Sequence, residues 1–128
     1  MRVSVLGLAV VVAAGCGGSR TLTEQTLRKQ NETVRSAAAE GALLAQDAAA
    51  GRTTEPFVRI HAEKLAEQAG KAAETLRSAK PEARLETARR RALAEAADVE
   101  RALENLHAEP DDRDVARRVE RELEAVSQ

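Results

Sequence analysis

The clearest hydrophobic pattern of the chain lies in residues 56–79, PFVRIHAEKLAEQAGKAAETLRSA. Its apolar positions alternate spacings of four and three residues, at Val58, Ala62, Leu65, Ala69, Ala72, Leu76 and Ala79. This heptad spacing predicts an amphipathic helix with one apolar seam. The segment 53–56, Thr-Thr-Glu-Pro, opens the helix because proline is tolerated in a first turn, and Lys80-Pro81 breaks or kinks it.

A long helix is also predicted upstream of this stretch, over about residues 22–50, with Gly51 as its stop. Thr21 and Glu24 fit a capping box at its start. Asn31 interrupts its apolar seam, which otherwise consists of Leu27, Val34, Ala38, Ala42, Ala45 and Ala49.

Two further helices are predicted downstream, over about residues 81–107 and, after Glu109-Pro110, over a shorter segment. Arg89 interrupts the seam of the third helix, which contains Leu85, Ala92, Ala96, Val99, Leu103 and Leu106. The fourth helix carries the stripe Val115, Val119, Leu123 and Val126. Its first turn is predicted to hold three acidic residues, which the helix dipole favours: Asp111, Asp112 and Asp114.

These patterns predict an all-α domain, an antiparallel up-down bundle of three long helices plus a short fourth with alanine-rich seams. Short connections at Gly51, Pro81 and Pro110 favour antiparallel neighbours, and a single long coiled coil is the alternative. No segment has the alternating pattern of a β-strand.

The composition restricts the range of functions. The 128 residues suffice for one domain, and their formal net charge is −1. This near-neutral charge argues against nucleic acid as a partner, because binding it requires a basic face. Phe57 is the only aromatic residue, so stacking platforms for bases are absent as well. Beyond Cys16 only 19 side chains are Leu, Ile, Val or Phe, so we expect modest stability. Gly51, Pro81 and Pro110 fold the chain back on itself, so that one chain covers most of its own apolar stripes. We therefore expect the soluble domain to be a monomer.

The N-terminus has the pattern of an export signal. Met1-Arg2 precedes an apolar run of twelve residues, Val3 to Ala14. As a helix this run spans about 18 Å, well short of a bilayer core of about 30 Å. It therefore predicts a cleaved signal peptide over residues 1–15.

The segment Val12-Ala13-Ala14-Gly15-Cys16 resembles the lipobox of bacterial prolipoproteins. That resemblance implies cleavage before Cys16, acylation of its thiol and a membrane anchor through the acyl chains. A flexible tether over residues 16–21 and a helical domain over 22–128 would follow. Ala13 stands where this class prefers Leu, so ordinary cleavage after Ala14 is the alternative.

Residues beside and beyond the lipobox refine this prediction. Cys16 is the only cysteine, which excludes an intramolecular disulfide. In lipoproteins, Asp after the cysteine favours inner-membrane retention; Gly17 therefore implies the outer membrane where the organism has one. The chain resembles the major outer-membrane lipoprotein of enteric bacteria in plan only. It ends in Gln128 and lacks that protein's terminal Lys, so covalent attachment to peptidoglycan is not implied.

Two patterns in the sequence are candidate sites. Glu104 and His107 share a helix face at i and i+3 and are the candidate metal ligands, but di-iron bundles use two such motifs and this chain has one. We therefore predict no metal and no cofactor. The basic cluster 89–91 is interpreted as a solvated face with Glu86–Arg90 and Arg91–Glu95 pairs.

No nucleophile elbow, phosphate loop or zinc spacing occurs in the sequence, so no catalytic residue is predicted. The sequence thus favours a non-enzymatic, lipid-anchored envelope lipoprotein, a structural or adaptor bundle with an envelope protein as its candidate partner. The alternative is a periplasmic bundle that binds a metal or small ligand.

Overall fold

The computed structural model describes residues 20–128, and four helices dominate them. They are α1 (Glu24–Ala49), α2 (Glu55–Ser78), α3 (Glu86–Ala108) and α4 (Arg113–Ser127), of 26, 24, 23 and 15 residues. Two short strands, β1 (Thr21–Leu22) and β2 (Lys80–Pro81), and a 3-10 turn at Ala83–Leu85 complete the order. The prediction of an all-α domain is confirmed for the described residues.

The helices pack as a bundle in which α1 contacts α2 and α4, and α3 contacts the same two helices. All predicted seam positions are buried except Ala49, Ala79 and Val126, which are partly buried. Alanine supplies about half of the core, so large side chains from neighbouring helices approach small ones. Gly41 is one such position: a Cβ there would lie 2.7 Å from Leu103 Cδ2 and 2.8 Å from Leu123 Cδ1.

The end of α1 lies where the sequence predicts it, whereas its start does not. Gly51 follows α1 with φ +70°, the left-handed conformation that glycine adopts without strain. The N-cap of α1 is Thr23, whose hydroxyl accepts from the Thr26 amide, so the predicted cap at Thr21 is wrong. Thr21 instead belongs to β1, because Leu22 is fully buried and holds the backbone there extended.

The start of α4 also differs in detail from its prediction. Asp112 is the N-cap, accepting from the amides of Asp114 and Val115. Asp114 lies in the first turn, as predicted, whereas Asp111 lies before the cap. Each carboxylate is near the positive end of the helix dipole, which stabilises the start of this short helix.

A small parallel bridge is the main departure from the sequence analysis. Thr21 pairs with Lys80 and Leu22 with Pro81, although no strand was predicted. Pro81 therefore ends α2, and α3 begins only at Glu86, after the 3-10 turn. The reason is tertiary: a second apolar cluster closes this end of the bundle, formed by Leu22, Leu27, Leu76, Leu85 and Ala92. We call it the end cluster; it contains no residue of α4.

Candidate functional site

The predicted signal peptide (1–15) and the predicted lipidation site, Cys16, lie outside the described residues. The structure begins at the far end of the predicted tether, where the chain is already held in place. The Arg20 carbonyl accepts from the Lys80 amide at 3.0 Å, and Leu22 has no exposed surface. Arg20, four positions after Cys16 in the sequence, is therefore already held by the bundle.

The predicted pair Glu104 and His107 lies in a groove between α2 and α3. His107 is tied to the first turns of α2: its Nδ1 is 2.9 Å from the Arg59 carbonyl oxygen. The Arg59 guanidinium in turn donates to the His107 carbonyl at 3.2 Å. The ring is thus held in a structural contact between two helices, and only Nε2 remains for any other partner.

The surroundings of this pair are acidic. The groove measures about 280 Å³ and is lined by Glu63, Ala66, Glu67, Glu100, Glu104 and His107. Within residues 20–128, however, no three His, Cys, Asp or Glu side chains come close enough together to hold a metal ion. The structure brings Glu104 and His107 to one groove without completing a ligand set around them.

The basic cluster 89–91 separates into different environments. Arg89, 17% exposed, bonds Glu86 through two nitrogens at 3.0 Å and donates to the Leu76 carbonyl at 3.2 Å. The hydrogen bonds between Glu86 and Arg89 lower the pKa of Glu86 and raise that of Arg89. Arg89 thus joins the start of α3 to the last turn of α2, where carbonyls lack helix partners.

The two pairs predicted for this cluster have different outcomes. Arg90 and Glu86 lie 3.7 Å apart, so their predicted pair is confirmed as a long contact. The predicted pair of Arg91 with Glu95 is wrong, since neither residue is among the ion pairs of residues 20–128. Arg91 is instead exposed to solvent.

An exposed apolar patch was missed by the sequence analysis. Leu43, Phe57 and Ile60 are 64%, 49% and 51% exposed, respectively. The Phe57 ring lies 4.0 Å from the His61 ring between centroids, tilted by 38°. Leu43 and Phe57 flank a groove of about 200 Å³ between α1 and α2. We call Leu43, Phe57 and Ile60 the apolar patch; its only signal in the sequence is that these residues are large, apolar and outside the predicted seams.

Comparisons with known proteins do not assign the chain to a family. The chain matches no protein-family model, and it has no significant match among curated proteins or solved structures. None of the helices in residues 20–128 is long and apolar enough to cross a membrane.

Proposed function

We propose that this chain is a non-enzymatic lipoprotein of the bacterial envelope, cleaved before Cys16, acylated there, and used as a structural or adaptor bundle. The mature domain lies outside the cytoplasm and is anchored to the outer membrane where the cell has one. The proposal joins the lipobox-like segment, which the structure does not describe, to the helical domain that follows it.

One observation carries the proposal: the bundle fixes the chain directly after the proposed anchor. Leu22 is fully buried in the end cluster, and the Lys80 amide holds the Arg20 carbonyl. At most about 3.5 Å per residue then separates Cys16 from the rigid domain, roughly 15 Å in all. A tether this short keeps the end of the bundle that carries β1 beside the membrane and directs the opposite end outward.

The finer arrangement is an up-down antiparallel bundle. Contacts between the helix ends support it: Arg59, near the start of α2, meets His107, near the end of α3. Arg89, near the start of α3, meets Leu76 in the last turn of α2. Gly51, after α1, lies beside Arg113, the first residue of α4.

The apolar patch supports the adaptor role. It lies on the second half of α1 and the first turns of α2, away from β1. The tether would therefore direct it outward, where an envelope protein can reach it. A few large apolar side chains, exposed together in a chain with so few of them, are typical of a modest protein-binding surface.

The decisive experiment is mass spectrometry of the mature N-terminus. We expect an N-terminal Cys16 carrying acyl chains, and an uncleaved, unacylated precursor in Cys16→Ser, because a hydroxyl does not replace the thiol as acyl acceptor. Ser19→Ala, a neighbouring small-residue change, serves as the control and should be processed normally. An unmodified N-terminus at Gly15 would contradict the proposal.

A further inference from the structure

The apolar patch lies over the groove between α1 and α2. Leu43 and Phe57 line this groove of about 200 Å³, and Ile60 follows Phe57 by three positions, so both of these side chains share one face of α2. The buried side chains of Leu44 and Leu65, 7% and 6% exposed, line the same groove. A large apolar side chain that enters the groove from outside would therefore meet an apolar surface.

The charges beside the patch have opposite signs on the two helices. Glu40 and Asp47 line the groove from α1, and Asp47 is paired with Arg52 at 2.8 Å. Glu40 is exposed and belongs to none of the ion pairs of residues 20–128. The same holds for Lys64, which precedes Leu65 on α2. An acid on α1 and a base on α2 thus accompany the patch and cancel in total charge.

The other charged residues near the patch have contacts elsewhere. Arg59 is paired with Glu55 at 2.6 Å and donates to the His107 carbonyl. Glu63, three positions after Ile60, lines the groove between α2 and α3. Glu40 and Lys64 are therefore the two charges that a partner on the patch would meet.

A surface with one charge of each sign and an apolar centre is complementary to itself. A strongly basic partner would meet Lys64, and a strongly acidic one would meet Glu40. A half turn about an axis parallel to the helices places α1 of each copy against α2 of the other. Glu40 and Leu65 line one groove, so Glu40 is level with Lys64, and each Glu40 would face Lys64 of the second copy. We propose that the apolar patch binds the same patch of a second copy of this chain.

The anchor fixes the direction of this pairing, so the inference rests on the proposed function. An axis parallel to the helices points the β1 ends of both copies the same way, as two tethers in one membrane require. A perpendicular axis would place the two β1 ends at opposite ends of the pair. Since α1 alone is about 39 Å long, a tether of roughly 15 Å could not reach back to the membrane.

The small size of the patch confines the pairing to the membrane. Stable interfaces bury about 1,200–2,000 Å² and involve about 20–30 residues a side, and three large side chains supply only the centre of such a surface. Confinement of both partners raises their effective concentration, to about the millimolar range for short linkers, without any new contact. Anchored chains therefore pair, whereas the soluble domain stays a monomer at micromolar concentration.

Fluorescence energy transfer between full, processed chains in phosphatidylcholine vesicles tests this pairing. Donor and acceptor are placed on Gln128→Cys, an exposed position, because the Cys16 thiol is occupied by its acyl chain in the proposed protein. Leu43→Ser with Phe57→Ser should weaken pairing by about tenfold, because the apolar centre is lost while both positions tolerate a polar side chain. Unchanged circular dichroism would show that this variant is folded. Transfer as high in this variant as in the parent would overturn the proposal.

Charge reversal tests the orientation of the two copies. Glu40→Lys and Lys64→Glu should each weaken pairing with itself by about threefold to tenfold, because like charges then face each other twice. Donor chains with Glu40→Lys mixed with acceptor chains with Lys64→Glu should pair as well as the parent, because every facing pair is again of opposite sign. Glu122→Lys and Arg118→Glu, at exposed positions of α4, are the matched controls and should change pairing less than twofold. No recovery in the mixture, or equal weakening in the controls, would overturn the proposed pairing.

Flotation of the labelled chains with the vesicles reports the anchor separately. A chain that does not float would contradict the proposed acylation and not the pairing. The patch is then tested with a hexahistidine tag before Gly17, in place of residues 1–16, which holds the chain on vesicles that contain a nickel-chelating lipid. Transfer on these vesicles that is lost in Leu43→Ser with Phe57→Ser would support the pairing, and transfer that does not differ between the two would overturn it.

Discussion

Gly41 and Gly70 both lie inside helices, but their surroundings differ. A Cβ on Gly41 would press into the side chains of Leu103 and Leu123, both fully buried. A Cβ on Gly70 would meet the Glu100 carboxylate at 3.2 Å, at the end of a flexible side chain that can turn to solvent. The same substitution at the two positions therefore separates core packing from helix propensity.

We expect Gly41→Ala to destabilise the protein and Gly70→Ala to stabilise it. Alanine gains about 1 kcal/mol over glycine in a helix, whereas overpacking a core costs about 1–3 kcal/mol. The free energy of unfolding should fall by about 1 kcal/mol in the first variant and rise by about 0.5–1 kcal/mol in the second. Urea denaturation monitored by circular dichroism measures both. Equal stabilisation of the two variants would mean that α1, α3 and α4 are not closely packed at Gly41.

The Glu86 carboxyl makes the stability of the folded protein depend on pH. The Arg89 guanidinium lowers the pKa of this carboxyl in the folded state below its ordinary value of 4.5. A lowered folded-state pKa contributes stability above the unfolded-state value, and that contribution is lost as the pH falls through the folded-state value. Lowering the pH from about 7 to about 3 should therefore remove part of the stability that the Glu86–Arg89 pair contributes.

Thermal denaturation of Glu86→Gln tests this dependence. The variant should melt below the parent protein at about pH 7, and the difference should shrink as the pH falls below the ordinary value of 4.5. Glu122→Gln, at an exposed position of α4, controls for the loss of one negative charge. A difference that does not change with pH would show that the Glu86–Arg89 contact contributes no titratable stability.

At the scale of elements, the seam of α2 is the strongest test of the bundle. Leu65 is 6% exposed in the main core, whereas Leu43 on α1 is 64% exposed. Leu65→Asp should unfold the domain, because an unpaired buried charge costs several kcal/mol and the whole domain has modest stability. Leu43→Asp should keep the helical circular dichroism spectrum and melt near the parent. If Leu65→Asp melted like the parent, the seam of α2 would not be buried.

Leu22 should control the order of the end cluster. Leu22→Ala removes most of a fully buried side chain and should cost about 2–5 kcal/mol. Hydrogen exchange of the Lys80 amide, which donates to the Arg20 carbonyl, should accelerate more than that of amides in the middle of α2. Leu43→Ala is the matched control, and it should leave the Lys80 amide protected. Unchanged protection of that amide in Leu22→Ala would mean that the bridge does not depend on the cluster.

The helices could be predicted from the sequence, and the bridge could not. The seams of α2 and α4 follow from residue spacing alone, because burial on one face imposes a helical period. The helix stop at Gly51 follows from local backbone chemistry. Thr21–Leu22 and Ala83–Leu85 were misassigned because their conformations depend on the end cluster, where residues far apart in sequence meet. A hydrophobic Leu22 just before the first helix was the one signal available.

At the scale of the whole molecule, the sequence also could not locate the exposed surfaces. Which side of a helix is covered depends on which neighbours pack there and how far they extend. Asn31 was visible as an interruption of a seam, but the burial of its Oδ1 without a hydrogen-bond partner among the described residues depends on how the bundle packs. The Glu104–His107 pair was correctly placed on one helix face, yet the contact of His107 with Arg59 required the packing of α2 on α3.

We expect the mature domain to be a monomer at micromolar concentration. Its apolar seams are largely buried within one chain, and the apolar patch holds only three large side chains. Sedimentation equilibrium should return one subunit mass, and the melting temperature should not rise with concentration. A dimer or trimer mass, or a concentration-dependent melt, would favour a spacer over an adaptor.

The bridge between β1 and β2 also has a consequence for the order of folding. Lys80 follows Thr21 by 59 positions, so this pairing closes a far longer loop than the turn between α1 and α2. Such non-local contacts form late, after neighbouring helices have paired. In a chain that crosses a membrane before it folds, as proposed here, β1 would stay unpaired until residues as far as Leu85 had emerged. Docking of Leu22 into the end cluster would thus be a late step, and the cleavage and acylation proposed at Cys16 would precede it.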